Sequence, residues 1–98
     1  MSRKISQANK TRFANISELG CIICSQPCEI HHCKGHIFGS GTGLKSEDKF
    51  TIGLCPDHHR GANGFHQIGK KTWEEKYGTQ SDLLAATNNI LEAMELIS

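Results

Sequence analysis

Two short segments of this 98-residue chain concentrate side chains that bind metal ions. Four of the six histidines and three of the five cysteines lie in residues 28–33 and 54–60. A Cys-x-x-Cys pair, Cys21 and Cys24, stands just upstream. Thiolates and imidazoles at this density favour zinc or another transition metal. The sequence therefore predicts two metal sites, one that holds the fold and one that does chemistry.

The first predicted site is a tetrahedral structural zinc site made of two pairs with the same two-residue gap, Cys21 with Cys24 and Cys55 with His58. Structural zinc is usually held by such close pairs from two separate turns. The alternative is that the four are small buried side chains without a metal, but the matched spacing favours zinc. Cys28 and Cys33 lack a partner at this spacing and are predicted to be packed thiols.

The second predicted site uses histidines that the zinc site leaves over. His31 and His32 are neighbours, and adjacent side chains of a strand point to opposite faces, so we expect them to have different roles. One can bind a metal while the other, without a metal, acts as a general base near neutral pH. His59 directly follows the zinc ligand His58, so the zinc site fixes its position.

The composition indicates one small domain that needs stabilisation beyond its hydrophobic core, from a bound metal or from disulfides. Only 37% of the residues are hydrophobic and 6% aromatic, which makes a thin core. The odd number of cysteines, five, and an N-terminus without the apolar stretch of a signal peptide argue against a disulfide scaffold. No stretch reaches the roughly 20 apolar residues of a membrane span. We therefore expect a cytoplasmic protein without a membrane partner, whose cysteines are reduced or bound to metal.

The charge is unevenly distributed although the net charge is only +1. Residues 1–76 carry all eleven Lys and Arg against seven acidic residues, whereas residues 77–98 carry three acidic residues and no base. A basic body is compatible with binding a polyanion. An ordinary solvated surface explains the same distribution equally well.

Helices are predicted on both sides of the metal-binding segments. Apolar residues at helical spacing, helix-forming composition and terminating glycines place them at residues 5–19, 70–77 and about 81–97. Thr79 or Ser81 would cap the last of these helices.

Two short strands are predicted to carry the histidines and cysteines, at residues 28–33 and 50–54. A glycine-rich loop, residues 35–43, separates them, and the glycines that follow His59 predict irregular chain at residues 60–65. The expected fold is therefore a small α+β domain spanning residues 1–98.

These motifs in combination resemble the HNH, or ββα-metal, endonuclease superfamily. Within it, the chain is similar to the Ref family of phage recombination-enhancement, RecA-dependent nucleases in four segments, residues 20–24, 41–45, 54–61 and 65–71. The resemblance covers residues 20–78. It implies a ββα-metal core of the zinc-knuckle, treble-clef-like kind. The N-terminal and C-terminal helices predicted from apolar spacing would flank this core.

The resemblance also implies one catalytic divalent cation, which would be Mg²⁺, Mn²⁺ or Zn²⁺. His31 and His59 would be metal ligands, and His32 would be the base that activates water. The third ligand of the family normally lies one helical turn after the second, where this chain has Asn63. His66 is the nearest histidine and would bind either the cation or a phosphate.

Two further roles follow from the resemblance. The middle asparagine of the family is missing, and Asp48, just before the second strand, would replace it by orienting His32 or its loop. Flanking phosphates would be bound by the basic residues Lys45, Arg60, Lys70 and Lys71. Each of these basic residues, taken singly, also suits a solvated surface.

The function implied is a metal-dependent DNA endonuclease that is phage or prophage encoded and linked to recombination, with a RecA-type recombinase filament as a partner. The alternative is a non-catalytic zinc-stabilised module that binds DNA or recruits other proteins. A third interpretation is that the extra histidines close a second structural zinc site with four protein ligands. A catalytic site instead keeps a coordination position open.

Overall fold

A computed structural model describes residues 7–34 and 49–97 of the chain. Helices and two strands follow one another in the order α1 (Gln7–Leu19), β1 (Glu29–His32), β2 (Thr51–Leu54), α2 (Pro56–His59), α3 (Phe65–Ile68), α4 (Lys70–Tyr77) and α5 (Gln80–Ile97). This is a small α+β fold, as the sequence predicts. Within the described ranges, the helices are too short or too polar to cross a membrane.

The two strands form an antiparallel hairpin in which Glu29 lies opposite Leu54 and His32 opposite Thr51. All four residues of β2 are buried, because α1, α2 and α5 pack around this strand. Gly53 is required here: a Cβ at this position would lie 2.8 Å from the Cys28 sulfur and 2.8 Å from the Gly20 carbonyl oxygen. The hairpin therefore sits at the centre of the fold.

The core is small and shares residues with the first metal cluster. Its fully buried side chains include Ile52, Leu54 and Trp73. The zinc-binding candidates Cys21 and Cys55 belong to the same buried cluster, and Ile22 and Ile23 pack against it. A metal held by these cysteines would therefore be continuous with the hydrophobic core.

The predicted element boundaries are close to the observed ones. Both strands are shorter than predicted, since residues 28, 33 and 50 lie outside them. The last helix begins at Gln80, one residue earlier than predicted, and its cap is Thr79, whose Oγ1 accepts a hydrogen bond of 3.1 Å from the Asp82 amide. The first helix is observed from Gln7, and residues 5 and 6 lie outside the described ranges.

Helix α3, Phe65–Ile68, was not predicted. The sequence indicates irregular chain up to residue 65, and glycines flank the helix on both sides, so no periodic pattern is long enough to reveal it. Burial of Phe65 against Trp73 stabilises it through tertiary contact, with ring centroids 5.6 Å apart. The missed helix matters because it carries His66.

Candidate metal centres

The first cluster forms where two turns meet beside β2. Gly20, with a φ of 86°, ends α1 and leads into a tight turn in which the Cys21 carbonyl accepts a hydrogen bond of 2.8 Å from Ser25. On the other side, Cys55 precedes the first residue of α2, so that His58 follows one helical turn later. Local turn geometry thus presents both ligand pairs to one point.

The distances within this cluster match a tetrahedral zinc site. The Nδ1 atom of His58 lies 3.2 Å from the sulfur of Cys55, 3.6 Å from that of Cys24 and 3.8 Å from that of Cys21. The Cys24 and Cys55 sulfurs are 3.7 Å apart, too far for a disulfide. Zinc bonds of ordinary length place sulfurs about 3.8 Å apart and sulfur about 3.5 Å from nitrogen. These four residues can hold a metal such as zinc.

Cys28 and Cys33 stand outside this cluster. The Cys28 thiol donates a hydrogen bond of 3.4 Å to the carbonyl of Ile16. Cys33 is completely buried, and this burial raises the pKa of its thiol to about 12. Both are packed thiols, in keeping with their spacing in the sequence.

The second cluster joins three histidines from three different elements, His31 on β1, His59 at the end of α2 and His66 on α3. Each offers a ring nitrogen, and these nitrogens all lie within 4.8 Å of one another. The Nε2 atoms of His59 and His66 are 3.1 Å apart. Two imidazole nitrogens bound to one zinc-like ion are separated by about 3.0–3.4 Å, so the geometry fits a shared metal.

His31 is the buried member of the second cluster. Its side chain is only 1% exposed, and its Nε2 atom lies 3.0 Å from Oε1 of Gln80. Its Nδ1 atom is buried and has no hydrogen-bond partner in the part of the chain that the structure describes. Burial lowers the pKa of His31 to about 4, so the ring is neutral at pH 7. A neutral imidazole with an unpartnered buried nitrogen is well suited to bind a metal.

His59 is oriented by a carboxylate. Its Nδ1 atom lies 2.9 Å from Oε1 of Glu29, which leaves Nε2 facing His66. The same carboxylate forms an ion pair of 2.9 Å with the guanidinium of Arg60. Hydrogen bonds from Arg60 and then from His59 lower the pKa of Glu29 to about 2. Acceptors of this kind fix the ring orientation of metal-binding histidines and raise their basicity.

Sequence reasoning missed two residues of this site, Glu29 and Gln80. A signal for Glu29 existed, because it stands two residues before His31 on the same strand and therefore shares its face. Gln80 is separated from His31 by 49 residues and carries no recognisable pattern. Only the packing of α5 against the hairpin reveals its role.

The structure does not bring His32 into the histidine cluster. Its ring is half-buried on the other face of β1, edge-on to the ring of Phe13 on α1, with centroids 6.4 Å apart. Its role as a base remains a prediction.

Asn63 points away from the cluster, since its side chain donates a hydrogen bond of 3.3 Å to Asp57. The third histidine is instead supplied by His66, beyond the position where the family pattern would place it.

The predicted phosphate-binding residues have different surroundings. Arg60 is exposed but paired with Glu29, and Lys70 forms an ion pair of 3.1 Å with Glu74. Lys71 is exposed. Lys45 and Asp48 lie outside the described ranges, so their predicted roles have no structural counterpart here.

Comparison with known proteins assigns the chain to a family. A family profile described as "Protein of unknown function (DUF968)" matches residues 2–95. The chain belongs to this family. It is also 38% identical over 65 residues to "Uncharacterized protein YdfU" of Escherichia coli (strain K12), and the match covers 65% of the chain but only 17% of that relative. No solved structure matches this DUF968 protein.

The two clusters of this DUF968 protein are directly linked in the sequence. His58 belongs to the first cluster and His59 to the second, so one peptide bond connects them. The first cluster has two thiols at its buried side and the second has only imidazoles. A metal in the first would hold α2 in place, and α2 would then hold His59 toward His31 and His66.

Proposed function

We propose that this DUF968 protein is a metal-dependent DNA endonuclease of the HNH type, in which the first cluster binds structural zinc and the second binds the catalytic cation. The observation that carries the proposal is the convergence of three histidines that each offer a ring nitrogen within 4.8 Å of the others. One of them, His31, has a buried Nδ1 atom without a hydrogen-bond partner among the described residues. The order β1, β2, α2, with the strands antiparallel, supports it because the ββα-metal resemblance implies that order.

The two clusters differ in the way that structural and catalytic metal sites differ. Four residues make up the first cluster, which suits a closed tetrahedral zinc. The second contains three residues within the described ranges, and the nearby carboxylate of Glu29 is occupied by His59 and Arg60. Three protein ligands leave a coordination position for water or a phosphate oxygen. Imidazole ligands favour transition ions such as zinc over magnesium.

A divalent cation in the second cluster would act as a Lewis acid on a phosphodiester and stabilise its leaving oxygen. His31, His59 and His66 would hold it, and Glu29 would keep His59 aligned. His32, next to His31 in the strand, would take the proton from the attacking water. Arg60, held beside the site by Glu29, would contact a neighbouring phosphate together with Lys70 and Lys71.

A non-catalytic zinc-stabilised module that binds DNA or recruits other proteins is the second candidate. The position of His32 favours it, because this ring packs near Phe13 and not within the histidine cluster. In that case the protein would still bind DNA, but the second cluster would have no base beside it.

The deciding experiment measures metal content and DNA cleavage on the same samples. Supercoiled plasmid and single-stranded DNA are each incubated with the protein, with and without a RecA-type recombinase filament. We expect two metal ions per chain and cleavage under at least one of these conditions. His59→Ala should retain one zinc and lose the second metal and the cleavage. Gln67→Ala, an exposed change on the helix that carries His66, is the matched control and should keep both.

His32→Ala separates the enzyme from the binding module. We expect both metals and the DNA affinity to be retained while the cleavage rate falls about a hundredfold to ten-thousandfold, the usual cost of losing a general base. Cleavage at the parent rate would show that His32 is not the base. If the parent protein never cleaves DNA although it holds two metals, the non-catalytic module becomes the better interpretation.

A further inference from the structure

The amide of Gln80 has only one possible orientation. Gln80 is completely buried at the start of α5, and its side chain contacts both peptide groups of Lys34. The Lys34 amide donates a hydrogen bond of 2.8 Å to Oε1 of Gln80, and the Lys34 carbonyl accepts one of 2.8 Å from Nε2. Since a backbone N–H can only donate and a carbonyl can only accept, exchanging the oxygen and nitrogen of Gln80 would break both bonds.

This orientation determines the tautomer of His31. The atom that faces Nε2 of His31 at 3.0 Å is Oε1 of Gln80, which can only accept a hydrogen bond. The Nε2 atom of His31 must therefore carry the proton. In a neutral ring, Nδ1 is then left with a bare lone pair, and this is the buried nitrogen that has no partner in the described ranges.

The ring of His31 belongs to the same cluster as His59 and His66. The ring of His31 lies 5.2 Å from that of His59 and 5.6 Å from that of His66, measured between centroids. His59 uses Nδ1 to contact Glu29, so the nitrogen that it offers to the cluster is Nε2. The three rings therefore do not present the same atom.

We propose that Gln80 is a positioning residue that selects the nitrogen of His31 offered to a metal, so that His31 binds through Nδ1 while His59 and His66 bind through Nε2. The proposal rests on the metal site of the proposed function, but it concerns the chain's own residues. Gln80 is itself fixed from both ends, because its backbone amide donates a hydrogen bond of 2.7 Å to the carboxylate of Glu74 on α4. Through Gln80, the contact between α4 and α5 thereby helps to determine which nitrogen of His31 is offered to a metal in the second cluster.

The tautomer can be read directly by nitrogen NMR. Uniformly ¹⁵N-labelled protein carrying one zinc equivalent should show a protonated Nε2 and a bare Nδ1 for His31 at pH 7. A second zinc equivalent should shift the Nδ1 resonance of His31 and the Nε2 resonances of His59 and His66. A protonated Nδ1 before the second zinc is added, or ligation of His31 through Nε2, would overturn the proposal.

Variants of Gln80 test selection by the side-chain oxygen. Gln80→Met removes the acceptor, so we expect a mixture of His31 tautomers and zinc binding at the second site weakened about 10- to 100-fold, with the first zinc retained. Gln80→Glu loses the donor to the Lys34 carbonyl but keeps an acceptor for the Lys34 amide and for His31, so it should preserve the protonated Nε2. The control Gln67→Met, exposed on α3, should change neither quantity.

The outcomes separate this proposal from the proposed function. A protein that shows the expected tautomer but takes up no second metal supports the role of Gln80 and contradicts the catalytic centre. If Gln80→Met takes up two metals with the affinity of the parent and shows a single His31 tautomer, the role of Gln80 is contradicted and the proposed function is not. If Gln80→Met does not fold, the parent tautomer and Gln80→Glu still decide.

Discussion

At the residue scale, two pairs of neighbouring histidines divide tasks between adjacent side chains. His58 joins the sulfur cluster and His59 joins the histidine cluster, whereas His31 is buried in the histidine cluster and His32 faces Phe13. In the strand, the division follows from alternation of side chains across the sheet. At the end of α2, it follows from the roughly 100° rotation between successive helical residues. Substituting one member of a pair should therefore leave the function of its neighbour intact.

The burial of His31 makes stability depend on pH. Because burial lowers the pKa of His31 from 6.5 to about 4, the unfolded chain takes up a proton more readily than the folded one. The stabilisation is present above pH 6.5 and is lost as the pH falls toward 4. Between pH 7 and pH 5 we expect a loss of about 2 kcal/mol from this residue. The measurement is urea unfolding at both pH values, on protein loaded with one zinc equivalent.

His31→Phe is the matched control for this pH dependence, since Phe fills the space beside Phe65 without titrating. Protonation of the cysteines of the first cluster affects both proteins alike and therefore cancels in the difference. Parallel pH profiles for parent and variant would show that His31 does not carry the effect.

At the element scale, the turn that connects α2 to α3 determines whether His66 reaches the second cluster. Helix α2 ends in a tight turn in which the amides of Arg60 and Gly61 both contact the Pro56 carbonyl, at 2.9 and 2.8 Å. A further bond of 2.9 Å links Gly64 to Gly61. This compact turn starts a new helix where a longer α2 would have carried Asn63 toward the metal.

Gly64→Ala should therefore disconnect His66 from the cluster. A Cβ at Gly64 would lie 2.6 Å from both the Arg60 amide nitrogen and the His59 carbonyl carbon, which are backbone atoms that cannot move aside easily. We expect loss of several kcal/mol in the free energy of unfolding, about the upper range for overpacking. Metal binding at the second site should be lost while the first zinc stays. Chemical denaturation and metal titration measure the two effects.

Gly69→Ala is the control for this substitution. Gly69 has a φ of 87°, but a Cβ there would meet nothing within 4 Å among the described residues. With ψ at 155°, this backbone conformation is one that essentially only glycine adopts, so backbone strain of about 1–3 kcal/mol is expected, without loss of the second metal. Equal effects of the two changes would mean that steric contact at Gly64 is not what positions His66.

At the scale of the whole molecule, we expect the fold to depend on metal binding, because its hydrophobic core is thin. Cys55→Ala should release the zinc and unfold the protein at 25 °C, since structural zinc contributes about 10 kcal/mol or more in small domains, comparable with their entire stability. Zinc per chain and circular dichroism report the result. Cys28→Ala, which removes a thiol outside the cluster, should keep the zinc and lose about 1 kcal/mol. A folded, zinc-free Cys55→Ala protein would contradict the assignment.

Charge distribution is also a property of the whole molecule. Replacing Arg60, Lys70 and Lys71 together by Ala should weaken DNA binding and flatten its dependence on salt, because fewer counterions are released. The control replaces three other basic residues, Lys10, Lys49 and Lys76, and has the same change in net charge. Fluorescence anisotropy at several salt concentrations measures both. Equal losses in the two variants would show that binding has no preferred surface near the histidine cluster.

The sequence by itself determined the first metal cluster and most of the elements. Cys21 and Cys24 are close in the chain, as are Cys55 and His58, so local turns suffice to form each pair. Local signals also located both strands, α1, α4 and α5 to within a few residues, because apolar spacing and terminating glycines act over short distances. Long-range packing needed only to bring the two cysteine-containing turns together.

The tertiary structure decided which residues complete the second cluster. A turn and a four-residue helix bring His66 into this cluster, and no periodic pattern in the sequence predicts that helix. Glu29 and Gln80 select the ring nitrogens of His59 and His31, and Gln80 does so across 49 residues of sequence. The contact of Gln80 depends on how α5 packs against the hairpin. A single sequence does not show which residues far apart in the chain will meet in the fold. The chemistry of the ligands is therefore local, whereas their orientation is a property of the assembled fold.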